Sequence, residues 1–397
     1  MDYLCIRCKG KGLCGKPCKI LKRIADSVQK VKSVKENFNS SLPSVFVGTY
    51  SYPNVNIGIV GPPVVDKNSW TMDSPDYWYK KRYEIQSVLE TRYQLINSKK
   101  PGNIKPAKLD KKFLEVVQEV ALAKRPVTSE IILSKRPKIV VSLDTRTAPI
   151  GSSAKLKKIV ITENTKISSK IEYVVRDDLK AEEQLTKLYK LTDINQIQKI
   201  FSAGLLGTKT QKKIVPTRWS ITATDDVISK NLIENIKKYP LINEYQIFEN
   251  SYLGNYFLII LVPSLWSFEI MEFWKKNSVW NRRNEYFISQ DYEAYFGRKN
   301  YASNVTGGYY AARLGVAEYL NKIKRQASVL ILRKISDEYF IPLGVWVVRE
   351  TVRGCFNKKA IKFKSLENVI KYTRKIPQWT EKSWLLRQLK QKTLKDY

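Results

Sequence analysis

The chain has 397 residues and no histidine, and its 70 Lys and Arg outnumber 37 Asp and Glu to give a formal net charge of +33. The missing imidazole excludes Ser-His-Asp and Cys-His catalysis and every histidine-containing metal site, leaving Asp, Glu, Lys, Arg, Tyr and Ser for any chemistry. The positive excess is spread along the chain and points to a polyanion partner, most simply DNA or RNA, held by phosphate neutralisation and therefore sensitive to salt.

Hydrophobic residues make up 43% of the chain, enough for a sizeable core, and the length suits one large or two to three smaller domains. The longest strongly apolar run, Tyr256–Pro263, is too short to span a bilayer, so no membrane partner is expected. The N-terminus runs straight into a cysteine cluster with no signal peptide ahead of it. The expectation is a soluble cytoplasmic protein.

Four of the five cysteines, Cys5, Cys8, Cys14 and Cys18, fall in the first twenty residues. Two close pairs joined by a short Gly/Lys loop can wrap one tetrahedral Zn²⁺ through four thiolates, a closed and therefore structural site. Gly10, Gly12 and Gly15 ease the turn around the ion, and Pro17 suits the first turn of a following helix. Two disulfides are the alternative, set against the lone Cys355 in the rest of the chain. From Pro17 to about Lys35 an apolar stripe of Ile20, Leu21, Ile24, Val28, Val31 and Val34 predicts a basic helix that docks on the main body.

Residues 44–65 mix β-branched side chains with Gly, Asn and Pro, which predicts short strands and tight turns. Their glycines form neither a dinucleotide fingerprint nor a phosphate loop. Ser74 or Asp73, followed by Pro75, signals the start of a helix to about Ile96. Residues 99–108 read as a connector before a helix over 109–123. Strands are expected at 139–144 and 158–163, and helices at 177–190 and 194–203.

The block from Lys212 to Asp226 packs cations, a Trp, four hydroxyl residues and paired acids into fifteen positions. Thr224 or Asp225 would cap a helix running to about Tyr239, whose N-terminus and hydroxyls can hold a phosphate paired with Arg218. Asp225 and Asp226 can hold a divalent ion together with substrate phosphate. A capped structural helix is the plain alternative.

Strands are expected at 245–248 and 256–262 around Leu253-Gly254-Asn255, followed by a helix at 268–275. Glu269 and Glu272 would share a face of that helix, as a metal or acid–base pair or as surface ion-pair partners. Residues 280–301 interleave rings with cations; Arg282, Arg283, Tyr295, Arg298 and Lys299 are candidates to stack bases and hold a strand backbone. Gly307-Gly308 opens another helix. Buried strands are expected at 329–332 and 345–348, the second followed by Arg349 and Arg353 as an anion clamp. The chain closes on Gln391-Lys-Thr-Leu394-Lys-Asp-Tyr397, a tail that can fold into one turn and plug Leu394 and Tyr397 into an apolar pocket while Gln391 hydrogen-bonds beside it.

The four-cysteine cluster, the VPTRWSITATDD block with LGNYF and WSFEIMEFW after it, and the C-terminal tail together resemble the archaeal Nre family of DNA repair proteins. The resemblance covers nearly the whole chain. It implies a role in DNA damage repair, a zinc finger at Cys5, Cys8, Cys14 and Cys18, and docking on the replication sliding clamp (PCNA) through Gln391, Leu394 and Tyr397. The tail departs from such motifs in stopping at its first aromatic residue. No settled reaction follows from the resemblance.

The combined reading is a mixed α/β or α+β fold, with a large mixed-sheet body, surrounding helices, a small zinc knuckle and a helical tail. Its parts are residues 1–40 (knuckle and basic helix), 41–210 and 211–378 (the two α/β parts of the body) and 379–397 (tail). The expected function is a nucleoid-associated DNA repair factor tethered to the clamp and binding DNA by its basic body. The rivals are an enzyme on a nucleotide or nucleic-acid end, using Arg218, Asp225, Asp226, Arg349 and Arg353 with a divalent metal or nucleotide, and an RNA-binding protein.

Overall fold

A computed structural model of the chain describes residues 34–137, 146–276, 285–376 and 378–391, together with 15, 17, 278 and 281. The protein is mixed α/β and, among the described residues, has two six-stranded sheets, each centred in its own compact unit. Residues 34–228 and 341–344 belong to the first unit, and 229–340 and 345–391 to the second.

The first unit opens with β1 (Asn37–Leu42), β2 (Ser44–Val47) and β3 (Asn54–Gly61), the strand-and-turn run expected over 44–65. Then come α1 (Pro75–Lys80), α2 (Ile85–Tyr93), β4 (Ile96–Asn103), α3 (Lys111–Leu122), β5 (Val127–Leu133), β6 (Ser153–Ile161), α4 (Ser169–Arg176), α5 (Ala181–Tyr189) and α6 (Ile194–Ser202). The helix α7 (Thr217–Ile236) begins in this unit and ends in the other. The sheet order is β1-β5-β6-β4-β3-β2. The β4–β6 pair runs parallel and the other neighbours antiparallel. Along β5 burial alternates residue by residue, so Val127, Ile131 and Leu133 face a core that one layer of helices completes. Phe113, Val117 and Val120 of α3 and Ile197 and Ile200 of α6 close that core, each contributing roughly 1.5–3 kcal/mol by burial. Asp110 and Asp193 cap α3 and α6 by accepting from Phe113 N and Gln196 N.

Three local expectations are corrected here. The first half of the connector at 99–108 is strand, because β4 pairs along its length with β3 from Ile96↔Gly61 to Asn103↔Asn54. The single helix expected up to Ile96 breaks into α1 and α2 at Arg82, whose φ of 53° no helix continues through. The helix expected over 177–190 begins only at Ala181, after a separate α4. The strand expected at 139–144 lies outside the described residues.

The second unit contains β7 (Tyr245–Tyr252), β8 (Asn255–Val262), β9 (Ser267–Trp274), β10 (Phe287–Glu293), α8 (Gly307–Ile323), β11 (Ser328–Ile335), α9 (Trp346–Cys355), β12 (Ile361–Phe363), α10 (Leu366–Thr373), α11 (Trp379–Lys382) and α12 (Trp384–Lys390). Its sheet order is β10-β9-β11-β8-β7-β12, with β9 and β11 parallel. The β7–β8 hairpin turns at Leu253 (φ 49°) and Gly254 (φ 71°), as the turn signal predicts. One face of the sheet, including Ile247, Leu258, Met271 and Leu332, packs on Val369, Ile376, Trp379, Leu385 and Leu386 from the α10–α12 segment. The other face meets α8 and α9, where Phe268 lies edge-on to Tyr309 and Phe248 to Tyr319 and Phe356. The result is a sheet between two helical layers. The helices α8 and α9 pack so closely that a Cβ on Gly315 would stand 2.8 Å from Val352 Cγ1.

Two elements reverse their expected type. Residues 268–275 form strand β9 rather than a helix, because the segment sits between β10 and β11 and is buried on both faces. Residues 345–348 start helix α9 rather than a strand, and Arg349 and Arg353 therefore ride on a helix. None of the described helices is long and apolar enough to cross a membrane.

Candidate functional site

The Lys212–Asp226 block is built around the start of α7. Pro216 opens the helix, with Trp219 and Ser220 N–H groups donating to its carbonyl at 2.8 and 3.0 Å. Thr217 stitches this start to the end of β2: its hydroxyl accepts from Val47 N at 2.8 Å and lies 3.0 Å from the Ser202 hydroxyl. Trp219 points outward and meets Tyr52 of the β2–β3 loop, with ring centroids 5.0 Å apart. Helix α7 thus starts at Thr217, well before the expected cap at Thr224 or Asp225. Thr224 and Asp225 are helix-interior residues, both fully buried. Asp226, one position on, is half-buried. Adjacent helical positions point about 100° apart, so the two aspartates do not form a convergent ion site.

Of the five residues of the enzyme reading, Arg218, Asp225 and Asp226 lie in the first unit, and Arg349 and Arg353 in the second. The two α9 arginines are engaged by carboxylates. Arg353 grips Glu318 with two donors at 2.5 and 2.7 Å and Glu350 with a third at 2.8 Å. Arg349 is buried, its Nε 3.6 Å from Glu350 Oε1. Both arginines of the expected anion clamp thus face carboxylates of their own unit. Among the described residues, no group of three or more Cys, Asp and Glu is arranged to hold a metal ion.

The aromatic and basic run at 280–301 divides. Arg282 and Arg283 lie outside the described residues. Arg298 is turned inward, donating to Asn300 O, Asp291, Tyr292 O and Tyr301 O while covering the Tyr309 ring at 5.0 Å. Asp291 in turn accepts from Asn304 N and Val305 N, so this pair shapes the loop leading into α8. Arg298 is therefore a loop staple rather than a strand-gripping cation. Tyr295 is half-buried under Lys237 Nζ, 5.1 Å from its ring. Lys299 is exposed.

Glu269 and Glu272 alternate across β9 and point to opposite faces, so they neither pair nor share an ion. Both are buried, and each has its own partner. Glu272 meets Arg333 at 2.5 Å, and Arg333 also holds Asn255 Oδ1. Glu269 caps α12: it accepts from Ser383 Oγ (2.7 Å), Leu385 N (2.8 Å) and Trp384 N (2.9 Å), and also from Gln290. Burial pushes its carboxyl above the ordinary glutamate range, and the bonds from Leu385, Ser383, Trp384 and Gln290 oppose that rise. The far end of α12 delivers Gln391, exposed at its C-cap. Leu394 and Tyr397 lie outside the described residues.

The four cysteines Cys5, Cys8, Cys14 and Cys18 also lie outside the described residues. Between the second pair, Gly15 has a φ of 65°, the left-handed conformation a tight turn requires. Cys355, the lone cysteine outside that cluster, is buried in α9, and burial pushes its thiol far up.

Sequence reasoning missed two features. The Glu269 cap joins residues more than a hundred positions apart and leaves no local signal. The exposed Tyr50 and Tyr52 of the β2–β3 loop, with Trp219 against Tyr52, did carry one: two tyrosines set within the turn-forming stretch Gly48–Pro53.

Comparison with known proteins gives a consistent result. The family model described as "Archaeal Nre, N-terminal" matches residues 13–281, and "Archaeal Nre, C-terminal" matches residues 293–397. A protein of Archaeoglobus fulgidus named DNA repair protein NreB is 37% identical over 401 residues, covering 99% of both chains. DNA repair protein NreA of the same organism is 36% identical over 92% of both chains. DNA repair protein NreA of Haloferax volcanii is 37% identical over 79% of this chain and 76% of its own. No solved structure matches the chain.

Proposed function

The chain belongs to the archaeal Nre family, and from that premise we propose that it acts in DNA repair, bound to DNA through its basic surface and tethered to the replication sliding clamp by Gln391, Leu394 and Tyr397. The observation that carries the reading is the end-to-end match to DNA repair protein NreB, 37% identical over 99% of each chain. The +33 net charge suits a DNA partner. The cap on α12 suits the tether, because it fixes the helix whose C-cap is Gln391, the first residue of the motif. A tether raises local concentration at the DNA without high intrinsic affinity. Cys5, Cys8, Cys14 and Cys18 offer four thiolates, the donor set of a closed structural zinc site. There they would hold the N-terminal knuckle to its fold and supply no chemistry.

The test is removal of residues 391–397. Loss of clamp binding with unchanged DNA binding and folding is expected; clamp binding equal to the full chain would refute the tether. In cells lacking the protein, the full chain should restore survival after DNA damage, and failure to do so would remove the repair reading. A Cys14→Ser, Cys18→Ser variant should lose about one equivalent of zinc by metal analysis.

A further inference from the structure

Three aromatic rings stand in the open on the first unit. Tyr50 is 85% exposed, Tyr52 48% and Trp219 41%. Tyr50 and Tyr52 sit in the loop between β2 and β3, and Trp219 leans on Tyr52 from the first turn of α7. Their positions are fixed by backbone rather than by chance collapse. Thr217 ties α7 to Val47 at the loop's start. At its end Pro53 O accepts from Ile104 N (3.0 Å), and Ile104 O accepts from Ile214 N (2.8 Å). Lys105 and Lys213, the residues next to Ile104 and Ile214 in that ladder, are both exposed. Other rings are exposed too, Trp70 at 43%, Tyr173 at 72% and Phe296 at 93% among them; the Tyr52–Trp219 contact joins two exposed rings from a hairpin loop and a helix start.

Exposed rings, with exposed lysines on the backbone ladder that anchors their loop, suit one ligand class: unpaired bases, which stack on rings, on a backbone whose phosphates meet the ammonium groups. Paired bases in a duplex hide their faces and cannot use them. We propose that Tyr50, Tyr52 and Trp219, with Lys105 and Lys213, form a stacking platform for single-stranded DNA. The choice of DNA over RNA rests on the repair reading above; the single-strand assignment rests on the rings.

The experiment measures binding of the full chain to a fluorescent oligothymidylate, to a blunt duplex of equal length and to the matching oligouridylate, by anisotropy at fixed salt. The Tyr50→Ala, Trp219→Ala variant should bind the single strand at least about 10-fold more weakly, since two stacking faces are removed. Its duplex binding should fall less than about 2-fold. Tyr50→Phe, Trp219→Phe, which keeps both rings, should restore most of the single-strand affinity. Lys105→Gln, Lys213→Gln should instead flatten the dependence of binding on salt. Tyr50 is so exposed that Tyr50→Ala alone tests the platform without risk to folding. Single-strand binding that Tyr50→Ala and the double variant leave unchanged overturns the platform, as does an equal loss toward the duplex. Ring-dependent binding that prefers the RNA strand overturns the choice of DNA and counts against the repair reading, while a repair defect in cells judges that reading independently.

Discussion

Glu269 is where one side chain decides how the C-terminal end of the chain is held. In the Glu269→Ala variant, the Ser383 hydroxyl and the Leu385 N–H, both in buried residues, lose their acceptor, and so does Trp384 N. Hydrogen bonds to a charged group each contribute about 1.5–3 kcal/mol, but removal also relieves the cost of burying the carboxylate. A net loss of about 3 kcal/mol is expected, which is about 100-fold in the local opening equilibrium. Amide hydrogen exchange at Trp384 and Leu385 should accelerate by that factor, while β8 and β11 in the centre of the sheet stay protected. Glu269→Gln keeps the shape but turns a donor toward N–H donors, and should lose about half as much. The pH dependence has a definite sign. Glu269 has a carboxyl raised above the ordinary 4.5, so its stabilising contribution is complete below the ordinary value and is lost as pH rises through the raised one. The stability advantage of the native chain over Glu269→Gln should therefore widen on acidification from neutrality toward the ordinary value. Unchanged exchange at Leu385 would refute the capping argument, and an advantage that narrows on acidification would refute the dominance of burial over the capping bonds at this carboxyl.

Three further outcomes are expected. Arg313→Met leaves Glu293 without its 2.7 Å partner at a site where both side chains are 1% exposed, and should cost about 3–5 kcal/mol in urea unfolding; adding Glu293→Leu should recover part of it. Burial alone would raise the Asp73 carboxyl, but the charges of Arg92 and Lys199 and hydrogen bonds from Ser44 and Arg92 hold it below the ordinary 3.8. Its contribution is present above that value and lost as pH falls through the lowered one, so Asp73→Asn should destabilise at neutral pH and match the native chain in strong acid, read from urea midpoints across pH. Gly315→Ala adds a better helix former, worth about 1 kcal/mol in a free helix, yet should destabilise by about 1–3 kcal/mol because its Cβ meets Val352; combining it with Val352→Ala should restore the melting temperature.

The legible parts of the fold were those with local causes. The β7–β8 hairpin followed from Leu253-Gly254-Asn255, the β2–β3 hairpin from its Gly and Pro, and α8 from its small residues after Gly307. Where burial is complete, the period that separates helix from strand vanishes. Ser267–Trp274 is buried on both faces of the sheet, so Glu269 and Glu272 looked like neighbours on a helix. Val347 and Val348 are buried on a helix whose whole first half is buried, and their β-branching suggested a strand. At the candidate sites the chemistry of Arg298, Arg349 and Arg353 was legible but their neighbours were not. An arginine reads the same in sequence whether it faces a phosphate or the carboxylate of Asp291 or Glu318.

How the two cations are divided bears on the partner. Each fully buried cation among the described residues is an arginine: Arg92, Arg313, Arg333 and Arg349. The rigid guanidinium fork suits that task, because it can satisfy several acceptors at once, as Arg333 does with Glu272 and Asn255. No described lysine is fully buried. The interior therefore takes up arginine together with acidic partners, and leaves lysine to carry the surface excess. A lysine surface binds phosphates as mobile point charges, with little preference for base sequence and a steep dependence on salt. Such a surface can hold DNA anywhere but cannot choose a place on it. Choice then has to come from elements that are not lysine, the part proposed above for the rings, which would accept only unpaired bases, and for the tail, which would accept one protein partner. On this division of labour, raising salt should abolish duplex binding first, with single-strand binding through Tyr50 and Trp219 outlasting it.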